Sequence, residues 1–351
     1  MERPLWLVWA TLAVSLLYYL LTNLRPHRRW GTGARPPGPR PLPVIGNLLH
    51  LRGNLHHTLA RLARSHGPVM CLEMGLTTAV VVSSRDAARE AFTKHDRRLA
   101  ARNVPDAAHA LGWSKRSMIW LPSSDPQWKT LRGIVAMHIF SPRSLAVVRG
   151  VRERKVRDLV GYLRGRAGQE VCFGQAVYGG VLNLVSSAFF SIDVVNVGAE
   201  SVHGLHELME DIIDLVMKPN VSDLFPFLKP LDLQGRRRRA IGHIERVFRI
   251  LEEIIERRLA EASSSSDKHH DFLDALLELM STGRIARDMV TTFMFDVFIA
   301  GSDTIATTVE WVMAELLHNP SVMAKVRAEM DCTLGGKKTI EEPEAASLPY
   351  L

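Results

Sequence analysis

Residues 300–304 bring together side chains that could do chemistry, because Ala300, Gly301, Ser302, Asp303 and Thr304 follow a run of large apolar residues. A carboxylate next to a hydroxyl can accept and pass on a proton, which is what general acid–base catalysis needs. Glycine costs about 1 kcal/mol relative to alanine in a helix interior, and serine, aspartate and threonine prefer caps and turns. The pattern therefore predicts a local helix distortion that makes room for a ligand.

The element that positions these residues is a long helix, predicted over residues 291–317. Apolar side chains lead into the motif, and the helical spacing resumes through Trp311 and Leu316 until Asn319-Pro320 breaks it. A helix end, or a close crossing of two helices at Gly301, is the alternative explanation. Because the spacing continues beyond the motif, we place the motif in the middle of the helix.

A second pair of candidate residues, Trp128 and Arg132, is predicted on a helix over residues 127–139. Residues four apart share one helix face, so the indole and the guanidinium lie on the same side. Guanidinium groups bind carboxylates through parallel hydrogen bonds, which suits this pair to an anionic ligand. By itself the spacing also occurs by chance in unrelated chains.

The rest of the pattern is mainly helical. Residues 69–74 and 78–82 predict a hairpin that turns near Gly75. The clearest amphipathic helix covers residues 237–261, and Asp271 is the expected cap of the helix that follows. We therefore predict a mainly α domain with a small β element. Further helices are predicted over residues 55–65, 86–94, 152–164 and 205–217.

Composition excludes several classes of protein. The 351 residues carry 44 lysines and arginines against 37 acidic residues, a net charge of +7 that fits a membrane surface or an acidic partner. Because the basic residues are interleaved with acids along helices, we predict no nucleic-acid binding. Cys71, Cys172 and Cys332 lie far apart and lack CxxC spacing, which argues against a disulfide framework and a zinc site.

The amino terminus predicts a membrane anchor. Residues 5–24 contain no charge and are long enough to cross a bilayer core of about 30 Å as a helix. Arginines follow this run, so the positive-inside rule places the rest of the chain in the cytosol. A cleaved signal peptide is the alternative. The predicted organisation is an anchor over residues 1–24, a basic and proline-rich hinge over residues 25–50 and one domain over residues 51–351.

Together these motifs resemble the cytochromes P-450, the microsomal haem-thiolate monooxygenases. Ala-Gly-Ser-Asp-Thr in a long central helix is similar to the family's oxygen-activation motif, although Ile305 follows it where many members carry a second small hydroxyl residue. The pair Trp128 and Arg132 resembles the family's Trp-x-x-x-Arg helix, whose side chains reach a haem propionate. The prolines between Pro36 and Pro43 resemble the hinge of microsomal members.

The resemblance implies a role for each motif. Asp303 and Thr304 would deliver protons during dioxygen activation, and Ala300 and Gly301 would bind the cofactor and line the oxygen and substrate pocket. Residues 103–120 would form part of a roof over the substrate.

The same resemblance implies haem as the cofactor, an NADPH-cytochrome reductase as the electron donor and a small lipophilic substrate. Residues 221–226 and 231–235 are similar to plant members that hydroxylate terpenoids, and residues 225–233 would form a membrane-facing entry loop. The implied location is the endoplasmic reticulum membrane, with a single anchor and a cytosolic catalytic domain.

Two segments of the family have no counterpart here, which leads us to expect a C-terminally truncated, inactive form. No Glu is followed three residues later by Arg, as in the family's Glu-x-x-Arg helix, and none of the three cysteines has the surroundings of the haem-ligating one. Oxygen activation of this type needs a thiolate on the iron. The alternative expectation is a non-catalytic, membrane-anchored protein that binds lipophilic ligands or partner enzymes.

Overall fold

The computed structural model describes residues 3–23, 35–197, 200–264, 269–335, 337 and 340–350. This part of the chain is mainly helical with one two-stranded sheet, which confirms the predicted fold class. The helices are α1 (Arg3–Asn23), α2 (Leu55–His66), α3 (Arg85–Lys94), α4 (Asp96–Leu99), α5 (Pro126–His138), α6 (Pro142–Val147), α7 (Arg149–Gly165), α8 (Phe173–Phe190), α9 (Glu200–Met217), α10 (Val221–Leu224), α11 (Arg236–Ser264), α12 (Phe272–Ser281), α13 (Arg287–His318), α14 (Pro320–Leu334) and α15 (Glu342–Ala345). Short 3₁₀ helices cover Leu48–His50, Asp106–Lys115 and Pro226–Leu231.

The predicted hairpin is confirmed. Strand β1 (Val69–Met74) pairs antiparallel with β2 (Thr77–Val82), and the turn between them contains Gly75 at φ 59°. Glycine adopts this left-handed conformation without the steric penalty that a Cβ would bring. A Cβ at this position would also lie 2.8 Å from the carbonyl oxygen of Leu224, so the turn and α10 approach each other closely.

The chain divides into two compact units. Unit 1 comprises residues 1–101 and 218–236, and unit 2 comprises residues 102–217 and 237–351. In unit 1 the backbone N–H of Leu76 donates to the carbonyl oxygen of Leu224, which ties the hairpin to α10. The predicted anchor, hinge and domain boundaries stay predictions.

The core of unit 2 is formed by α5, α8, α9, α11, α12 and α13. Aromatic rings join three of these helices: Phe272 on α12 meets Phe293 edge-on at 5.6 Å between centroids, and Phe248 on α11 meets Phe295 in the same way. Edge-to-face pairs of this kind contribute beyond simple burial of their area. The apolar first half of α13 therefore lies at the centre of the unit.

Helix α8 was not predicted from the sequence. Most of its residues are buried, on every side of the helix. A helix that is apolar all round shows no amphipathic period, so the pattern that revealed α11 is missing here. A Cβ at Gly174 would lie 2.5 Å from the Oε1 atom of Glu310 on α13, but this is the end of a flexible, exposed side chain that can shift.

One helix among the described residues is long and apolar enough to span a bilayer, and this helix is α13. Its most apolar window is 61% buried, as expected of a core helix. The predicted amino-terminal anchor corresponds to α1, a helix of 21 residues in which the apolar stretch Val8–Tyr18 is exposed.

A buried cation joins the ends of three helices in unit 2. Arg258 on α11 is 5% exposed and donates to the carbonyl oxygen of Phe190 at 2.7 Å. Its guanidinium also donates to Asp271 at 2.9 and 3.0 Å and to Asp274 at 2.6 Å. Asp271 in turn accepts from the backbone N–H of Asp274, which confirms it as the cap of α12.

We expect Arg258→Ala to lower the free energy of unfolding by about 3–5 kcal/mol, because it leaves the buried carboxylate of Asp271 and the partly buried one of Asp274 without their cation. Urea denaturation of the detergent-solubilised protein measures this change. Arg257→Ala is the matched control, since Arg257 is exposed on the same turn and its replacement should cost about 0.5 kcal/mol or less. Equal losses in the two variants would contradict the prediction.

Candidate functional site

The predicted motif lies inside α13, where the helix passes from buried to exposed. Most side chains from Val290 to Ile299 are buried, whereas Ala300 and Thr304 are exposed and Gly301 and Asp303 are half-buried. The motif therefore presents small and polar side chains on an open face, directly after a buried apolar segment.

The helix is regular through the motif, so the expected local distortion is wrong. The hydroxyl of Thr304 donates to the carbonyl oxygen of Ala300 at 2.9 Å, and that of Ser302 donates to Phe298 at 2.7 Å. Such bonds to the residue four positions earlier satisfy polar side chains within a helix. The low helix propensity of residues 301–304 is overcome because the helical turns on both sides of the motif belong to the same continuous helix.

A close helix crossing does not explain Gly301. A Cβ at this position would lie 3.5 Å from the methyl carbons of Val185 on α8, which is an ordinary contact. Alanine would fit at this position. The alternative explanation of the motif is thus not supported at Gly301.

Trp128 and Arg132 lie one turn apart on α5, as predicted. Trp128 is half-buried and packs against the core of unit 2. Arg132 is exposed and makes no hydrogen bond or ion pair with the described residues. An unpaired guanidinium next to an anchored indole can bind a carboxylate of a ligand.

The structure adds a buried carboxylate that the sequence analysis missed. Asp296 on α13 is 1% exposed and accepts hydrogen bonds from the indole N–H of Trp113 at 2.9 Å and the backbone N–H of Met118 at 2.7 Å. The hydroxyl of Ser117 lies 2.8 Å from both carboxylate oxygens. These donors belong to residues 105–121, which we define as the roof segment.

Burial raises the pKa of Asp296 from 3.8 to about 7, although the hydrogen bonds from Trp113, Ser117, Met118 and Ile119 act in the opposite direction. A signal for this residue was present in the sequence. A single acid between Phe295 and Val297 must find several donors if its helix is buried.

Tyr178 is a further buried polar residue near the motif. The hydroxyl of Tyr178 on α8 has no hydrogen-bond partner among the described residues, and its ring stacks on His206 at 3.8 Å between centroids. Burial, followed by the negative charges of Asp303 and Glu210, raises the pKa of Tyr178 well above its usual range. The phenol therefore stays protonated at neutral pH and can donate a hydrogen bond.

The described residues fit a haem in part. The exposed guanidinium of Arg132 suits a propionate, and the small residues Ala300 and Gly301 leave an open surface suited to a flat ring. The sulfur of Cys71 is buried in the hairpin and accepts a hydrogen bond from Arg35 at 3.3 Å.

The other two thiols are exposed, at Cys172 before α8 and at Cys332 on α14. An axial thiolate needs a sheltered setting with donors aimed at the sulfur, and neither exposed cysteine has one. The expected absence of the haem-ligating cysteine segment stays a prediction.

Comparison with known proteins identifies the family. The family model of cytochrome P450 matches residues 36–351, and the chain belongs to this family. It is 62% identical to cytochrome P450 76M5 of Oryza sativa subsp. japonica, over 99% of this chain and 70% of that protein. The predicted family is thus confirmed.

Two further relatives come from the same plant. The chain is 59% identical to oryzalexin E synthase, over 100% of this chain and 69% of the relative. It is 56% identical to ent-cassadiene C11-alpha-hydroxylase 1, over 100% of this chain and 70% of the relative. These relatives are terpenoid-modifying monooxygenases, in line with the predicted similarity to plant terpenoid hydroxylases.

The raised pKa of Asp296 predicts how stability changes with pH. Between about pH 4 and 7 the folded chain holds a proton that the unfolded chain has released, so the contribution of this group to the free energy of unfolding falls as pH rises. Asp296→Asn removes the titration. Urea denaturation should show that the free energy of unfolding of the wild type, minus that of the variant, is larger at pH 5 than at pH 7.5. A difference that is constant, or larger at pH 7.5, would refute the assignment.

Proposed function

We propose that this chain supplies the substrate-covering and dioxygen-facing part of a cytochrome P450 monooxygenase that hydroxylates a small terpenoid-like molecule. The observation that supports it is the oxygen-activation motif on the open face of a buried central helix, in a chain whose relatives modify terpenoids. Haem, when bound, supplies the iron chemistry that activates dioxygen.

The residues of α5 and α13 have separate tasks in this proposal. Trp128 and Arg132 would hold a haem through a carboxylate, because the indole anchors α5 in the core and the exposed guanidinium has no partner among the described residues. Ala300 and Gly301 keep the opposing surface of α13 free of bulky side chains. The site is therefore shaped by one charged contact and one open apolar face.

Proton delivery is assigned to Asp303 and Thr304. The carboxylate of Asp303 is half-buried, and the Thr304 hydroxyl, which donates to the carbonyl oxygen of Ala300 in the resting helix, can rotate to donate to a bound ligand instead. The Tyr178 hydroxyl, protonated and without a hydrogen-bond partner among the described residues, adds a donor near Asp303. Electrons come from an NADPH-cytochrome reductase, as the family implies.

As a separate polypeptide, the chain is proposed not to hold haem iron through a thiolate, and so to be inactive. The buried Cys71 belongs to the hairpin of unit 1, and Cys172 and Cys332 are exposed. A second candidate function is a non-catalytic protein that binds partner enzymes. It is favoured by large apolar side chains that are exposed along the second half of α13, including Trp311 and Leu317.

A fusion of residues 1–351 to the carboxyl-terminal part of cytochrome P450 76M5 tests the first proposal. With haem, NADPH and the reductase, we expect it to hydroxylate ent-cassadiene. Thr304→Val should lower turnover at least about tenfold, because it removes the proton-donating hydroxyl. The matched control is Thr308→Val, since Thr308 also donates to the carbonyl four residues earlier and is exposed.

Equal activity of the Thr304 and Thr308 variants would reject the assigned role of Thr304. The unfused chain, supplied with haem, reduced and exposed to carbon monoxide, should give no thiolate-type Soret band. A normal band would overturn the proposed inactivity. A folded but inactive fusion would instead favour the non-catalytic function.

Membrane attachment is proposed for unit 1. Helix α1 exposes an apolar surface, and Phe227, Leu231 and Leu233 are 54%, 62% and 59% exposed around the 3₁₀ helix Pro226–Leu231. Exposed apolar groups of this size gain free energy by entering a lipid surface. The endoplasmic reticulum membrane, with the remaining chain cytosolic, is the location that fits the arginines after α1.

Vesicle flotation tests this attachment. A chain that lacks residues 1–34 should bind phosphatidylcholine vesicles more weakly than the full chain, and Phe227→Asp in the shortened chain should reduce the residual binding at least about threefold, because a charge is costly in lipid. Phe92→Asp is the control, since Phe92 is exposed on α3 outside the proposed contact. Equal binding by the Phe227 and Phe92 variants would argue against the contact.

A further inference from the structure

We propose that Asp296 is a positioning residue, whose carboxylate fixes the roof segment against α13 and thereby shapes the ligand pocket beside Ala300 and Thr304. The assignment of the segment to a substrate pocket rests on the proposed function. The attachment itself rests on the contacts of Asp296.

Asp296 lies on the same helix as the motif, α13. Asp296 precedes Ala300 by four residues and Thr304 by eight, so all three lie along one face of a regular α-helix. A segment bonded to Asp296 therefore lies over the face that leads into the motif. Ring packing extends this contact, since Trp113 meets Phe295 at 5.1 Å and Trp120 at 5.6 Å between centroids.

The roof segment needs bonds from outside to keep its conformation. Leu111 and Gly112 adopt φ of 50° and 71°, and a leucine in this left-handed region is strained. Arg116 donates to the carbonyl oxygen of Leu111 and pairs with Asp288 at the exposed start of α13. That ion pair is partly exposed and screened by solvent, so the buried attachment is at Asp296.

Among the described residues, the donors to the carboxylate of Asp296 come from the roof segment. The carboxylate accepts from Trp113 through one oxygen, from Met118 through the other and from Ser117 through both. Above about pH 7, where the carboxylate is ionised, it only accepts hydrogen bonds and so matches this set of donors, and the hydrogen-exchange experiment is therefore carried out at about pH 8. Asparagine keeps one acceptor oxygen but turns an NH₂ group toward the N–H of Met118 or the indole of Trp113.

Hydrogen exchange measured by mass spectrometry on the full chain tests the attachment. In Asp296→Asn, we expect amides of residues 113–121 to exchange at least about tenfold faster than in the wild type, with α8 and α11 unchanged. Asp288→Asn is the matched control on the same helix and should accelerate the segment less, because it breaks only the exposed pair. Trp113→Phe, which removes one donor and keeps the ring, should give an intermediate effect.

An unchanged roof segment in Asp296→Asn, or equal acceleration in α8 and α11, would overturn the proposal. Hydrogen exchange in the presence of ent-cassadiene tests the positioning role and the proposed function separately. If ent-cassadiene slows exchange of the roof segment in the wild type, and this slowing is at least about threefold smaller in Asp296→Asn, the positioning role and the proposed function are both supported. If the diterpene protects nothing in the wild type while Asp296→Asn still releases the segment, the substrate proposal fails and the positioning role stands. Equal protection in wild type and variant would overturn the role of Asp296 in shaping the pocket.

Discussion

A carboxylate buried in the apolar half of α13 ties an irregular segment to the helix that carries the candidate site. Removing a charge from water is costly, so Asp296 requires several donors in fixed positions. Trp113, Ser117 and Met118 provide them, and they hold a segment that contains a strained leucine. The need to satisfy one buried group thus determines where residues 105–121 lie.

The same need to pair a buried charge applies to Arg258. Arg258 is buried at the end of three helices, and its two terminal nitrogens donate four hydrogen bonds, to two carboxylates and a carbonyl oxygen. Between these two polar centres the packing is apolar. At both centres the buried charge lies where several groups from neighbouring elements bind it.

The site itself has a different character, because its polar groups are not paired with one another. Among the described residues, Arg132 has no acidic partner and the buried Tyr178 hydroxyl has no hydrogen bond. Groups in this state are available to a ligand, whereas Asp296 and Arg258 are engaged in structure. This distinction separates residues that we propose to bind a ligand from residues that we propose to position the site.

The sequence by itself determined the family, the mainly helical class, the hairpin around Gly75 and the position of Asp303 and Thr304 within a long helix, because these depend on local spacing and on short patterns. Only the tertiary structure decided the existence of α8, which is apolar on every side and shows no period. It also decided that the motif continues a regular helix and that Asp296 reaches donors more than 170 residues earlier in the chain. Such contacts join positions that no local pattern relates, and burial gives them their strength.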